Sequence, residues 1–226
     1  MSTPKYPQLV MIIRHGEKPG NPATDTNGGP NLSVLGSARA AALPSLFTPD
    51  PTVPPSTNPP SQLACDVIAS STDQSFLGTY VSSGMPAGSS RFPPPNFLFA
   101  TQATHSSSRP VETITPLSQA LASLNNPALN TSINSNYPDD SYQDLATLIL
   151  SDSQTYGGQV ILICWHHGKA PNLAEALGVP QSQLTPWDPW QPTVFDLVFQ
   201  ITWNASGQAN LDVAYQQLLF ADTAQA

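Results

Sequence analysis

Charge is what this chain has least of: only 10% of its 226 residues are Asp, Glu, Lys or Arg, against roughly 25% in ordinary soluble domains. Its surface must instead be covered by Ser, Thr, Asn, Gln and Pro. Seven basic residues stand against fifteen acidic ones, a net charge of −8, so neither nucleic acid nor an anionic membrane surface is an expected partner. Apolar runs are short, well under the roughly eighteen residues a membrane span needs. The two cysteines, Cys65 and Cys164, cannot make a disulfide framework; they could pair, but Cys164 falls in an apolar run that reads as a buried strand, where a free thiol is expected. Adjacent His166 and His167 point to opposite faces of such a strand and have no Cys or carboxylate ligands beside them, so no metal site and no cofactor are expected. Met1 to Pro7 is polar and leads straight into the first apolar run, which argues against a signal peptide and for a cytoplasmic protein.

What is present suffices for one enzyme-sized domain over residues 1–226, since 39% apolar residues can fill a single core. Strand-like runs near 8–14, 65–70, 96–101, 160–166 and 194–203 alternate with helical periodicity near 33–47, 109–124, 140–151 and 171–178. That pattern predicts an α/β fold: a three-layer α/β/α sandwich around a mostly parallel sheet. Ala214 to Phe220 is either an edge strand or a short helix. Residues 44–60 hold seven prolines and 86–95 four more, so the region 48–95 reads as an insertion without regular helix or central strand, either roofing the site or running over the surface. Trp187, Trp190, Phe195, Phe199 and Trp203 read as core and sheet-edge packing.

The apolar run Leu9 to Ile13 ends in Arg14-His15-Gly16-Glu17. Ligands of parallel sheets collect beyond the carboxyl ends of the strands, where Arg14 supplies a fork of donors and His15 a nucleophilic nitrogen. Only four arginines exist, Arg14, Arg39, Arg91 and Arg109, which makes each cation at such a place informative.

Leu9-Val-Met-Ile-Ile-Arg-His-Gly-Glu-Lys-Pro19 resembles the first motif of the histidine phosphatase superfamily, which contains the cofactor-dependent phosphoglycerate mutases. Asn31-Leu-Ser-Val-Leu-Gly-Ser-Ala-Arg-Ala40 resembles the helix opening that follows it. Ser108-Arg-Pro-Val-Glu-Thr113 resembles its second-arginine motif, and Val160-Ile-Leu-Ile-Cys-Trp-His-His-Gly168 its late strand ending in a histidine. The resemblance leaves residues 48–95 uncovered. It implies a phosphoglycerate mutase-like fold and a metal-independent phosphatase acting on a small phosphorylated molecule. His15 would be the nucleophile that becomes phosphohistidine, with Arg14, Arg109 and the late histidine on the phosphate oxygens. Gly168 favours His167 for that last role, whereas counting back from the following helix, by the spacing in phosphohistidine phosphatases, favours His166; we assign His167. Glu17 lies close enough in sequence to join the phosphate site or to brace its loop. Glu112, one turn beyond Arg109, reads as packing on that helix. For the proton donor, Asp139 and Asp140 sit where the mutase-like branch carries its acid, and the assignment goes to Asp140; an N-cap is the alternative use of either. His105 either lines the pocket or stands in an exposed loop. A mutase, which would hold a doubly anionic sugar acid, sits poorly with three lysines, and a pure phospho-ligand binder would not need the nucleophile. The substrate and the oligomeric state are not legible.

Overall fold

A computed structural model describes residues 4–20, 29–48, 90–219 and 222, so the expected strand at 65–70 and most of the proline-rich insertion lie outside the described residues. Six strands form one sheet: β1 (Leu9–Arg14), β2 (Phe97–Thr101), β3 (Ile133–Tyr137), β4 (Val160–Trp165), β5 (Leu197–Trp203) and β6 (Ala209–Tyr215), in the order β3-β2-β4-β1-β5-β6. The four on the β3 side run parallel and β5 and β6 antiparallel to their neighbours. All six residues of β1 and of β4 are buried, as a strand covered on both faces requires.

Alternation along β1 divides the core in two. Val10 and Ile12 join one cluster with Leu145 and Ile149 of α3 (Tyr142–Ser151) and Leu173 and Ala174 of α5 (Ala170–Ala176). Leu9, Met11 and Ile13 face the other way, against Ile114, Leu117 and Leu121 of α2 (Arg109–Ser123) and against Leu43 and Phe47, which follow α1 (Val34–Ala42). Helices thus cover both faces. Among the described residues there are also two single-turn helices, α4 (Ser153–Tyr156) and α6 (Gln181–Leu184), and a 3-10 turn over Asp139–Ser141.

The differences from the sequence reading have local causes. Helix α1 ends at Ala42 rather than near 47 because Pro44 cannot continue the α ladder, and the chain tightens into a 3-10 turn over Leu43–Leu46. Strand β3, Ile-Asn-Ser-Asn-Tyr, was not expected; as the half-exposed edge of the sheet it needs no apolar run. The last strand runs over Ala209–Tyr215, pairing with β5 through a tight turn at Asn204 to Gly207. At the borders of the insertion Phe92 returns to Phe47, with ring centroids 5.5 Å apart and its N–H on the Leu46 carbonyl, so the chain leaves and re-enters at one place.

Candidate active site

The parallel pairing of β1 with β4 sets Arg14 beside Trp165, so the next residues, His15 and His166, leave the sheet side by side. Their rings stand 5.2 Å apart at 74°, edge to face. The Nδ1 of His15 lies 2.7 Å from the Gly16 carbonyl, which can only accept, so Nδ1 carries the proton and Nε2 is left with the lone pair. Burial pushes the His15 imidazole down to about 2, and the charges of Arg14, His166 and Arg109 add to it against the Gly16 hydrogen bond. Of these, the His166 ring is the one in direct contact with His15.

Arg14 is 2% exposed. Its Nη1 donates to the carbonyls of Pro192 at 2.8 Å and Val194 at 2.9 Å, and its guanidinium lies 3.7 Å from the Phe195 ring centroid. Burial lowers it to about 9, since the charged form is poorly solvated. Its Nε is buried without a partner, and so is the Nε of Arg109, whose Nη1 is spent on the Gly29 carbonyl at 2.9 Å. Two buried guanidinium donors without acceptors form a demand for an anion.

The loop that carries His15 is fixed from both sides. Gly16 N–H donates to Thr113 Oγ1 at 2.9 Å, and that hydroxyl donates to the Arg109 carbonyl at 2.8 Å, which ties the first-motif loop to the opening turn of α2. A Cβ on Gly16 would stand 2.9 Å from the Gly36 carbonyl oxygen, and one on Gly36 would run into the Glu17 backbone, so only glycine allows α1 to lie this close. The Ser33 hydroxyl caps α1 by accepting from Gly36 N–H at 3.0 Å. Glu112 accepts from Leu32 N–H at 2.8 Å and from the Ser108 hydroxyl at 2.7 Å, holding the 30–32 segment against α2.

Glu17 forms a buried ion pair with Arg39 at 2.6 Å, Arg39 reaches Asp222 at 2.6 Å on its other side, and the Glu17 charge also acts on Arg14 against the effect of burial. Burial alone would lower Arg39, but its hydrogen bonds to Asp222 and Glu17 outweigh that and raise it. The carboxylate of Glu17 thus braces the loop. Asp140 is 86% exposed and paired with Lys169 at 3.0 Å, whereas Asp139 turns inward, its Oδ1 lying 3.1 Å from His166 Nδ1, within ion-pair reach though outside hydrogen-bond alignment. Of the two histidines, His166 is the one against His15. Half-buried His167 is lowered to about 4 by burial, with Arg14, His166 and Lys18 adding to it, so it borders the same positive region. His105 is exposed.

Three contributors were not anticipated. Phe195, read as core, stacks on Arg14 and stands 6.5 Å from His15. Ser107, 5% exposed, meets His166 Nε2 through its hydroxyl at 3.2 Å. Arg39 had no expected role. The Arg14-Phe195 pairing has no short-range signal in sequence, because 181 residues separate the two; the Ser107 contact likewise depends on where β4 ends. Cys164 is a free, buried thiol, pushed up by burial. Among the described residues, no group of three or more His, Cys, Asp or Glu could hold a metal, and no helix is long and apolar enough to cross a membrane.

The sheet is mostly parallel with helices on both faces, an α/β fold, and the carboxyl ends of its strands β1 and β4 carry Arg14, His15 and His166. No protein-family model matches the sequence, and no curated protein matches it. Among solved structures the chain is similar to a mycobacterial hydrolase, at 12% identity and a TM-score of 0.51 over 94% of this chain and 100% of that one. A mycobacterial glucosyl-3-phosphoglycerate phosphatase follows at 13% identity and a TM-score of 0.47, over 92% of this chain and 98% of that one. A phosphoserine phosphatase from Entamoeba histolytica gives 12% and 0.46, over 94% and 99%. At these identities the likeness is one of fold.

Proposed function

We propose that the protein is a phosphatase of the histidine phosphatase type, hydrolysing a small phosphomonoester through a phosphohistidine on His15 without a metal. The observation that carries this reading is the His15 tautomer: Nδ1–H held by the Gly16 carbonyl, Nε2 left as a nucleophile, and partnerless buried donors of Arg14 and Arg109 in its surroundings. In the proposed reaction Nε2 attacks phosphorus in line as the P–O bond to the leaving group breaks, and the departing oxygen takes a proton from a carboxyl group or solvent water. Arg14, Arg109 and His166 hold the non-bridging oxygens as charge builds on them. Water then attacks the phosphorus of the phosphohistidine, releasing phosphate and restoring the neutral ring.

Geometry favours His166 over His167 for the oxygen contact, because it is the His166 ring that faces His15. It also favours Asp139 over Asp140 as the carboxyl group nearest the chemistry, since Asp140 is engaged by Lys169 at the surface. Glu17, spent on Arg39, supports the loop rather than the phosphate. The test is phosphate release from p-nitrophenyl phosphate with and without chelator. The wild type is expected to be active in both, and His15→Ala to lose turnover while still binding vanadate. Activity that disappears with chelator or survives in His15→Ala overturns the proposal.

A further inference from the structure

A guanidinium has two edges that can grip an oxyanion, and the segment ahead of β5 decides which edge of Arg14 is free. Its Nη1 donates to the Pro192 carbonyl at 2.8 Å and the Val194 carbonyl at 2.9 Å, with the Gln191 carbonyl at 3.4 Å, so the protons of that nitrogen are spent. This removes the end-on edge and leaves the side-on edge, Nε with Nη2, of which Nε is buried without a hydrogen-bond partner among the described residues. That edge can take two oxygens of a phosphoryl group at once. Acceptors on a single nitrogen fix where it lies but not how the guanidinium plane is turned about it. The plane is set by Phe195, over whose ring the Arg14 Cζ stands, 3.7 Å from the centroid. The same ring meets the His15 imidazole edge to face, with centroids 6.5 Å apart, so one side chain packs against both the cation and the nucleophile. Phe195 is 6% exposed and held by the core: the Val194 carbonyl before it also accepts from the Trp190 indole N–H at 2.9 Å, and the Trp190 ring lies 4.8 Å from Phe199 of β5.

We infer that Phe195 is a positioning residue: by stacking on Arg14 it holds the Nε–Nη2 edge toward the phosphoryl group, and it acts on turnover through that guanidinium. This role presupposes the proposed phosphatase reaction, since an oxyanion must lie beside His15. An aromatic face suits the task because it attracts the cation without consuming an N–H or neutralising the charge, as a carboxylate partner would. The donors therefore stay free for the ligand. A leucine in place of Phe195 keeps the space apolar but offers no face to the cation. The guanidinium then keeps its carbonyls and loses its fixed plane. The cost falls in the transition state, where charge builds on the phosphoryl oxygens and the fork must already be aligned.

The test compares the full chain as wild type, Phe195→Leu, Phe195→Tyr, Arg14→Ala and the double variant Arg14→Ala with Phe195→Leu. Phe195→Leu is expected to lower kcat for p-nitrophenyl phosphate by about 10- to 100-fold, the scale of a misaligned group, with KM held within about 3-fold. Phe195→Tyr keeps an aromatic face and is expected to restore most of the loss. Titration with orthovanadate, which needs no turnover, should rank the variants in the same order, and urea midpoints report that each is folded. Phe195→Met, equally without a ring, serves the same comparison where the leucine variant does not fold. In the Arg14→Ala background, Phe195→Leu is expected to change kcat and vanadate affinity by less than about 2-fold, because the ring has lost the group it acts through. An equal loss in both backgrounds, or wild-type kcat and vanadate affinity in Phe195→Leu, overturns the inference and leaves Phe195 a packing residue. The phosphohistidine reading is tested separately through His15→Ala: vanadate coupling between Arg14 and Phe195 in a protein whose His15→Ala variant still turns over contradicts that reading and leaves the positioning role in place.

Discussion

The imidazoles of His15 and His166, 151 residues apart in sequence, meet edge to face at 5.2 Å because β1 and β4 pair in parallel with Arg14 opposite Trp165. If His166 is the residue that steadies the phosphate, His166→Ala should lower kcat/KM for an aryl phosphate by about 100-fold, the loss typical of removing one transition-state donor. His167→Ala should cost less than about 10-fold on the same scale. Steady-state kinetics on the two variants decides the matter, and the opposite ranking would return the role to His167.

The Glu17–Arg39 pair is buried on both sides, with side chains 6% and 3% exposed. Removing one partner leaves an uncompensated charge, so Arg39→Met should destabilise the fold by about 3–5 kcal/mol. Urea unfolding measures this directly. A loss below about 1 kcal/mol, as for a solvent-exposed pair, would show that the brace does not hold the loop.

Gly36 has no room for a methyl group, because a Cβ there would overlap the Glu17 backbone. Gly36→Ala should therefore push α1 off the first-motif loop, costing roughly 1–3 kcal/mol of stability and weakening vanadate binding together. Unfolding curves and a vanadate titration on the purified variant check both. A variant with wild-type values in both would mean the helix yields without disturbing the site.

Acid should weaken the fold in a definite window. Burial lowers His15 to about 2 and His167 to about 4, against about 6.5 in an unfolded chain. Below about pH 6.5 the unfolded state therefore binds protons that the folded state refuses, and stability falls as pH falls. For buried His15 the slope approaches about 1.4 kcal/mol per pH unit, continuing toward its folded value. Urea midpoints from pH 7 to pH 4.5 should decline, and His15→Asn should flatten the decline. Equal slopes in the two proteins would contradict the assigned burial effect. The same shift keeps the nucleophile unprotonated in mild acid.

How much of this was readable beforehand depends on the range of the interaction. Among the described residues, the strands β1, β2, β4 and β5 and the longer helices announced themselves through apolar runs and periodicity, Arg14 and His15 drew attention by their place at the end of a strand-like run, and Arg109 only through the resemblance of Ser108 to Thr113 to a family motif. The edge strand β3 had no such signal, because a half-exposed edge tolerates Asn-Ser-Asn. The choice between His166 and His167 was not decidable from alternation alone: one register step exchanges their faces, and the register is set by pairing with β1. Glu17, read as joining the phosphate site or bracing its loop, and Asp140, suggested by the resemblance, each pair with a cation that sequence distance hides, Arg39 at 22 residues and Lys169 at 29.

The most direct test of the account is to trap the covalent intermediate. The full chain mixed with p-nitrophenyl phosphate should give a stoichiometric burst of nitrophenol where dephosphorylation is slower than phosphorylation. Rapid quenching in alkali followed by tandem mass spectrometry should then find the phosphoryl group on His15, stable to base and lost in acid as an N-linked phosphate is. A phosphoryl group on Ser107, or none in a protein that still turns over, would contradict the central claim that His15 is the nucleophile.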